Sequence, residues 1–233
     1  MEAVDFKIVL KQIAAASGID QDSIPNSFFT QVRDYADRRV ATAWDRAEWP
    51  ATIRYNSPTV NTSGNINKFT YPTGADVILN VYSDDPRTST TIKTYSYTLT
   101  DTGTAREVII PEADTSVTVE YKEAPPEFTG DTHLASGKTY SAGEQAYYDG
   151  NFYTANSNST SGSWSSSAWT IVKCPKLFQS YLVKGCYADY LRANGQTQDA
   201  TIEDQNAEGI LFRETEKLQR VQGQNRRIQM NTY

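Results

Sequence analysis

The hydrophobic period of this chain changes twice, and that constrains its fold more than any single motif. Apolar side chains recur at three- and four-residue spacings up to Trp49-Pro50 and again from Leu177. The long stretch between is rich in Thr, Ser and Tyr and reads as strands and turns. The chain is therefore expected to be α+β: helical at both ends, with an antiparallel β module and a small aromatic-rich β unit inserted.

The first helical stretch divides in two. Phe6, Val9, Leu10 and Ile13 share one helix face, and Gly18 is a natural stop. Ser23 to Pro25 offer helix-start chemistry, a cap followed by a proline tolerated in the first turn. The second helix carries Phe28, Phe29, Val32, Tyr35, Ala36, Val40, Ala43 and Trp44 as an apolar stripe, with Arg33, Asp37, Arg38 and Asp45 opposite. Trp49-Pro50 is expected to end it, because a residue before proline is pushed toward extended geometry.

Strand patterns follow over Val77–Tyr82, Thr94–Leu99, Glu107–Ile110 and Val117–Tyr121, separated by Ser83-Asp84-Asp85-Pro86, Asp101-Thr102-Gly103 and Pro111-Glu112-Ala113-Asp114. These predict an antiparallel β module over residues 53–124, a small sandwich, closed by the stiff Ala124-Pro125-Pro126 linker. Residues 131–173 form a third unit. Its hairpin turns at Asp149-Gly150, and with few aliphatic residues it must be held by stacked aromatics.

Helical spacing returns with Leu177, Phe178, Tyr181, Leu182, Tyr187, Tyr190 and Leu191, and stops at Gly195. A last helix begins near Asp199, with Thr201-x-x-Asp204 as a loose capping box, and runs through Ala207, Ile210, Leu211, Leu218 and Val221. Gly209 weakens it. Residues 223–233 are polar and basic and read as an extended tail that gains partners only in a complex.

Sites of chemistry are not evident. His133 is the only histidine, so a Ser-His-Asp or Cys-His triad has no second base; it reads as a solvated loop residue. Asp84-Asp85 and Glu203-Asp204 are adjacent carboxylates, whereas glycosidase chemistry needs two held across a cleft. Cys174 and Cys186 sit in no metal-ligand spacing and read as buried thiols. Phosphate-cradling Gly-rich loops are missing. The expectation is no catalytic residue, no cofactor and no metal.

Net charge of −6 and a sequence pI near 4.9 argue against non-specific nucleic-acid binding. The acidic N-terminus lacks a following apolar stretch, and no run reaches the ~20 apolar residues of a membrane span, so synthesis in a cytoplasm without membrane insertion is expected. Hydrophobic content of 38% and mean hydropathy of −0.58 are low for a compact enzyme, as expected where neighbouring subunits complete the core. The 15 tyrosines suit strands and interfaces.

The two ends resemble the head-to-tail adaptor (connector) proteins of tailed bacteriophages. The matching residues are Ala43-Trp44-Asp45 with Trp49-Pro50, and the Glu/Leu/Gln-rich run Glu214 to Gln222 leading into Gly223-Gln224. The resemblance covers residues 1–55 and 174–233, and the long β insertion departs from the pattern. It implies a helical core over 1–52 and 174–222 with Trp44, Trp49 and Pro50 as its signature. It also implies a virion neck location, a dodecameric ring, and contacts with the portal and with a nozzle or tail-tube protein. The tail would dock on the portal through Arg220, Gln224, Arg226, Arg227, Ile228, Met230 and Tyr233. Other neck roles, stopper or tail-completion protein, remain open.

The third unit is similar to a chitin-binding carbohydrate module of the type 5/12 kind. Tyr140, Gly143, Tyr148-x-Gly150-x-x-Tyr153-x-Ala155 and Trp169 carry the likeness, and the opening Trp of that pattern is missing. The resemblance implies a core of tyrosines and the final tryptophan. Trp164, in a Ser-rich loop, and Tyr147 are the sugar-stacking candidates, against the alternative that Trp164 packs on a neighbouring domain. The rival to the adaptor is thus a secreted or virion-surface carbohydrate-binding protein.

Overall fold

The computed structural model describes residues 3–63, 66–103, 105–111, 116–130 and 133–230, and their side chains other than those of 63 and 222–230. The chain forms two compact units, one of residues 1–47 and 126–233, the other Glu48–Pro125. The small aromatic β unit is thus part of the helical unit and not a third body.

The helical unit opens with α1 (Phe6–Ala16), capped by the Asp5 carboxylate, which accepts from the amides of Lys7 and Ile8. Phe6, Val9, Leu10 and Ile13 are buried. Gly18, at φ 71°, ends the helix in a Schellman arrangement: the Ile19 amide donates to Ala14 and the Gly18 amide to Ala15. α2 (Asn26–Asp45) starts differently from expectation. Pro25 sits at the N-cap position with no side-chain cap, so Ser23 plays no capping part. Nor does α2 reach Trp49-Pro50; it ends at Asp45, and Trp49 and Pro50 belong to the other unit. Its expected stripe is buried except Tyr35, which is half-buried.

The unit Glu48–Pro125 is a β-sandwich. Its strands are β1 (Ile53–Asn56), β2 (Asn61–Ser63), β3 (Ile66–Thr70), β4 (Ala75–Tyr82), β5 (Thr94–Tyr95), β6 (Thr98–Asp101), β7 (Arg106–Ile110) and β8 (Thr118–Glu123). They form two antiparallel sheets in the orders β1-β8-β4-β5 and β2-β3-β7-β6. Phe69, Val108 and Ile110 of one sheet pack with Ile78, Val81, Tyr95 and Val119 of the other. Fully burying each such side chain contributes about 1.5–3 kcal/mol. The single strand expected over Thr94–Leu99 is broken, because the chain changes sheets there. Tyr95 pairs with Val81 and Leu99 with Val108. Tyr97 in the crossing donates its hydroxyl to the Ile78 carbonyl.

The aromatic β unit has β9 (Thr139–Tyr140), β10 (Gln145–Tyr148), β11 (Asn151–Ala155), β12 (Thr160–Ser161) and β13 (Trp169–Ile171). Asp149 (φ 41°) and Gly150 (φ 93°) form the two-residue turn joining β10 to β11. Tyr140 and Trp169 stack edge to face at 5.0 Å in its core, with Ala146 and Ala155.

After a single 3-10 turn (Lys176–Phe178), α3 (Gln179–Ala193) ends in a second Schellman arrangement at Gly195 (φ 79°), with the Gln196 amide donating to Leu191. α4 then runs from Thr197 to Met230. Thr201 lies inside it, its hydroxyl donating back to the Thr197 carbonyl, and Asp204 is taken by ion pairs, so the capping box does not form. The backbone stays helical through Gly209 and to Met230, where an extended tail was expected from residue 223; residues 231–233 of that tail lie outside the described residues.

Candidate functional site

Three helices of the helical unit meet at one buried cation. Arg39 of α2 donates both Nε and Nη2 to the Asp189 carboxylate of α3 at 2.8 Å, and its Nη1 lies 2.7 Å from Asp204 of α4. Arg192 closes the network, at 2.8 Å from Asp189 and 3.3 Å from Asp204. The Arg39 side chain is only 13% exposed. Burial opposes its charge, but the hydrogen-bonded Asp189 carboxylate overrides that and holds the guanidinium above its ordinary pKa. Gly185 makes room for it: a Cβ there would sit 3.1 Å from Arg39 Cδ. Sequence reasoning passed over Arg39, because one arginine on a helix flank gives no periodic signal.

Trp44 lies in this helical core, buried, its ring 6.2 Å from Phe178. Trp49 is buried and Pro50 exposed, both in the unit Glu48–Pro125.

The hairpin of the aromatic β unit presents two faces, by strand alternation. Tyr147 and Phe152 face the helices. Phe152 lies 4.8 Å from Phe6, and Tyr147 lies 5.0 Å from Phe29. Tyr147 is thus a core residue, and burial pushes its hydroxyl up to about 12; the sugar-stacking role expected of it is corrected. Tyr148 and Tyr153 share the other face with Trp164. The Trp164 ring stacks on Tyr148 at 4.2 Å and 13°, and meets Tyr153 edge-on at 4.6 Å. Trp164 therefore packs on tyrosines of its own β unit. It and Tyr148 are 36% and 37% exposed, an aromatic platform open to solvent.

α4 outlasts its partner helix. At 1.5 Å per residue, α3 is about 22 Å long and α4 about 51 Å. Ala200, Ala207 and Leu211 are buried. The same heptad stripe continues to Leu218, half-buried, and Val221, 57% exposed. Arg220 is exposed and lies 3.7 Å from Glu216. Gln224, Arg226, Arg227, Ile228 and Met230 lie on helical backbone with their side chains outside the described residues, and Tyr233 lies outside them entirely.

The adjacent carboxylates are each engaged. Asp85 pairs with Arg87, which lowers it to about 2, and Asp84 caps the Asp85 amide. Glu203 pairs with Lys184 at 2.9 Å. Glu120 of β8 accepts from Tyr55, Tyr82 and Asn80 on the outer face of its sheet, a polar cluster whose donors and acceptor satisfy one another. His133 is exposed, 6.3 Å from the Tyr147 ring. Cys174 and Cys186 are buried and unbridged, and burial pushes both thiols up.

Among the described residues no group of three or more His, Cys, Asp or Glu is placed to hold a metal ion, and no helix is long and apolar enough to cross a membrane. No protein-family model matches the chain, and no curated protein matches it.

Proposed function

We propose that this chain is a structural protein of a tailed-phage neck, an adaptor that joins the portal ring to the tail. The supporting observation is that helices from the two chain ends, far apart in sequence, build one unit locked at Arg39, from which α4 runs on beyond α3. In this reading the helical units of about a dozen copies form a ring, and the sandwich and aromatic unit contact tail, fibre or capsid components. The end of α4 docks on the portal through Arg220, Gln224, Arg226, Arg227, Ile228, Met230 and Tyr233. Because that end is helical to Met230, docking adds a helix to a portal cleft, with basic side chains meeting acidic portal groups.

Co-expression with a tailed-phage portal protein, followed by size separation and electron microscopy, tests the proposal. A ring of this chain stacked on the portal is the expected particle. Deleting Gly223–Tyr233 is expected to leave the far-UV spectrum of the remaining fold intact and to abolish portal capture. Unchanged capture by the truncated chain would refute the docking role.

The Trp164–Tyr148 platform favours a second reading, carbohydrate binding by the aromatic β unit, since a sugar ring stacks on exposed aromatic faces. In a pull-down on insoluble polysaccharides that include chitin, retention that disappears in both Trp164→Ala and Tyr148→Ala is the result this reading expects. Retention unaffected by either change would rule the platform out.

A further inference from the structure

One flank of α4, beside the stripe buried against α3, carries a second heptad row: Asp199, Glu203, Asn206, Ile210, Arg213, Lys217 and Arg220. Its charge is graded along the helix, acidic in the first two positions and basic in the last three. Asp199, Asn206, Arg213, Lys217 and Arg220 are exposed; Ile210 and Glu203 are half-buried, and Glu203 and Lys217 also hold pairs within the chain, to Lys184 and Glu214. Lys217 and Arg220 have side chains 67% and 75% exposed. Placed antiparallel against itself about Ile210, the row is self-complementary. Asp199 then falls opposite Arg220, Glu203 opposite Lys217, Asn206 opposite Arg213, and Ile210 opposite Ile210. At the acidic end the exposed Asp199 lines an open groove of about 590 Å³ with Tyr187, Tyr190, Asn194 and the Lys184-paired Glu203, polar groups suited to receive the end of a basic side chain.

We infer that this face of α4 is a docking surface for a second copy of the chain, which binds antiparallel across a two-fold axis at Ile210. The occupant follows from the charge grading. A like helix laid parallel sets acid on acid and base on base, whereas the antiparallel one matches at both ends and excludes the wrong register. Such an isologous pair is closed at two copies. It is therefore a different assembly from a ring. Its use, holding free copies out of ring formation until a portal is met, rests on the adaptor reading; the surface itself does not.

The test uses two full-length variants, Asn206→Cys and Arg213→Cys, both at exposed positions; the native Cys174 and Cys186 are buried. Mixed and mildly oxidised, they are expected to give a one-to-one disulfide dimer, with each variant alone staying monomeric on a non-reducing gel. Adding Lys217→Glu and Arg220→Glu to the Arg213→Cys chain is expected to abolish that dimer. Adding Asp199→Lys and Glu203→Lys to the Asn206→Cys partner is expected to restore it. No mixed disulfide, or as much from Asn206→Cys alone, overturns the inference. Portal capture by the unmodified chain is scored separately. Cross-linking without capture leaves the two-fold surface standing and the adaptor reading refuted, and capture without cross-linking does the reverse.

Discussion

Arg39→Ala is expected to destabilise the helical unit by about 3 kcal/mol, the low end for breaking a buried charge pair, because it removes the buried cation and leaves Asp189 and Asp204 only the half-exposed Arg192. Asp189 is 16% exposed, loses both of its hydrogen bonds from Arg39 and keeps one from Arg192; Asp204 keeps only the longer contact to Arg192. Arg192 cannot take over, since its own side chain is 47% exposed and reaches the pair from the rim. Arg39→Lys is expected to fall between, keeping the charge but not the planar fork that meets Asp189 with two nitrogens and Asp204 with a third. Replacing Arg39, Asp189 and Asp204 together by Met, Leu and Leu removes the three charges nearest the core, leaves only the half-exposed Arg192 to water, and is expected to recover most of the loss. Urea unfolding followed by far-UV circular dichroism reads all three. A loss below about 1 kcal/mol for Arg39→Ala would place the network among solvent-screened surface pairs and defeat this account.

The same network marks a limit of what the sequence discloses. Helical period located α1, α2 and α3 because their buried residues recur at three and four, and Gly18 and Gly195 located two ends because only a residue at ease with positive φ closes a Schellman turn. Asp149-Gly150 was legible for the same conformational reason. Arg39 was not, since its partners are about 150 and 165 positions away and only the folded chain brings them to it. Tyr147 and Tyr148 were assigned the wrong way round. Adjacent strand residues face opposite sides, and two consecutive tyrosines carry no alternation to say which side is the core. In the sandwich, β1, β2 and β3 contain Arg54, Asn56, Asn61, Thr62, Asn67 and Lys68, so polar residues hide a strand period that pairing with β8 and β7 makes real. The strand break between Tyr95 and Leu99 is a property of two sheets, not of a local pattern. At the other end of the chain, the low apolar content beyond Gly223 suggested an extended tail. The helix instead continues there, as residues such as Gln, Arg and Met permit by propensity.

Phe152→Ala is the change expected to act most strongly on the join between the aromatic β unit and the helices. Phe152 is 2% exposed and lies among four other rings: Phe6 at 4.8 Å, Phe128 at 5.1 Å, Tyr147 at 5.4 Å and Phe29 at 6.0 Å. Two of these come from α1 and α2, one from the segment before the β unit and one from the hairpin itself, so a single truncation empties a space shared by all of them. Collapse into that space is hindered, because the Arg33 guanidinium holds the Gly130 carbonyl, and Asp37 accepts from the Phe128 amide. The expected loss is about 3–5 kcal/mol, the range for removing a buried aromatic ring. Phe152→Leu fills part of the space and is expected to cost less than half as much. Trp164→Ala, on the solvent side of the same hairpin, is expected to cost about 1 kcal/mol at most, because its ring is already one-third exposed. Hydrogen exchange distinguishes a shared core from two adjoining ones. With a shared core, Phe152→Ala lowers amide protection in β10 and β11 and in α1 and α2 together. Loss confined to the hairpin, with the helices as protected as before, would mean that the β unit folds on its own and that the aromatic cluster is contact rather than core.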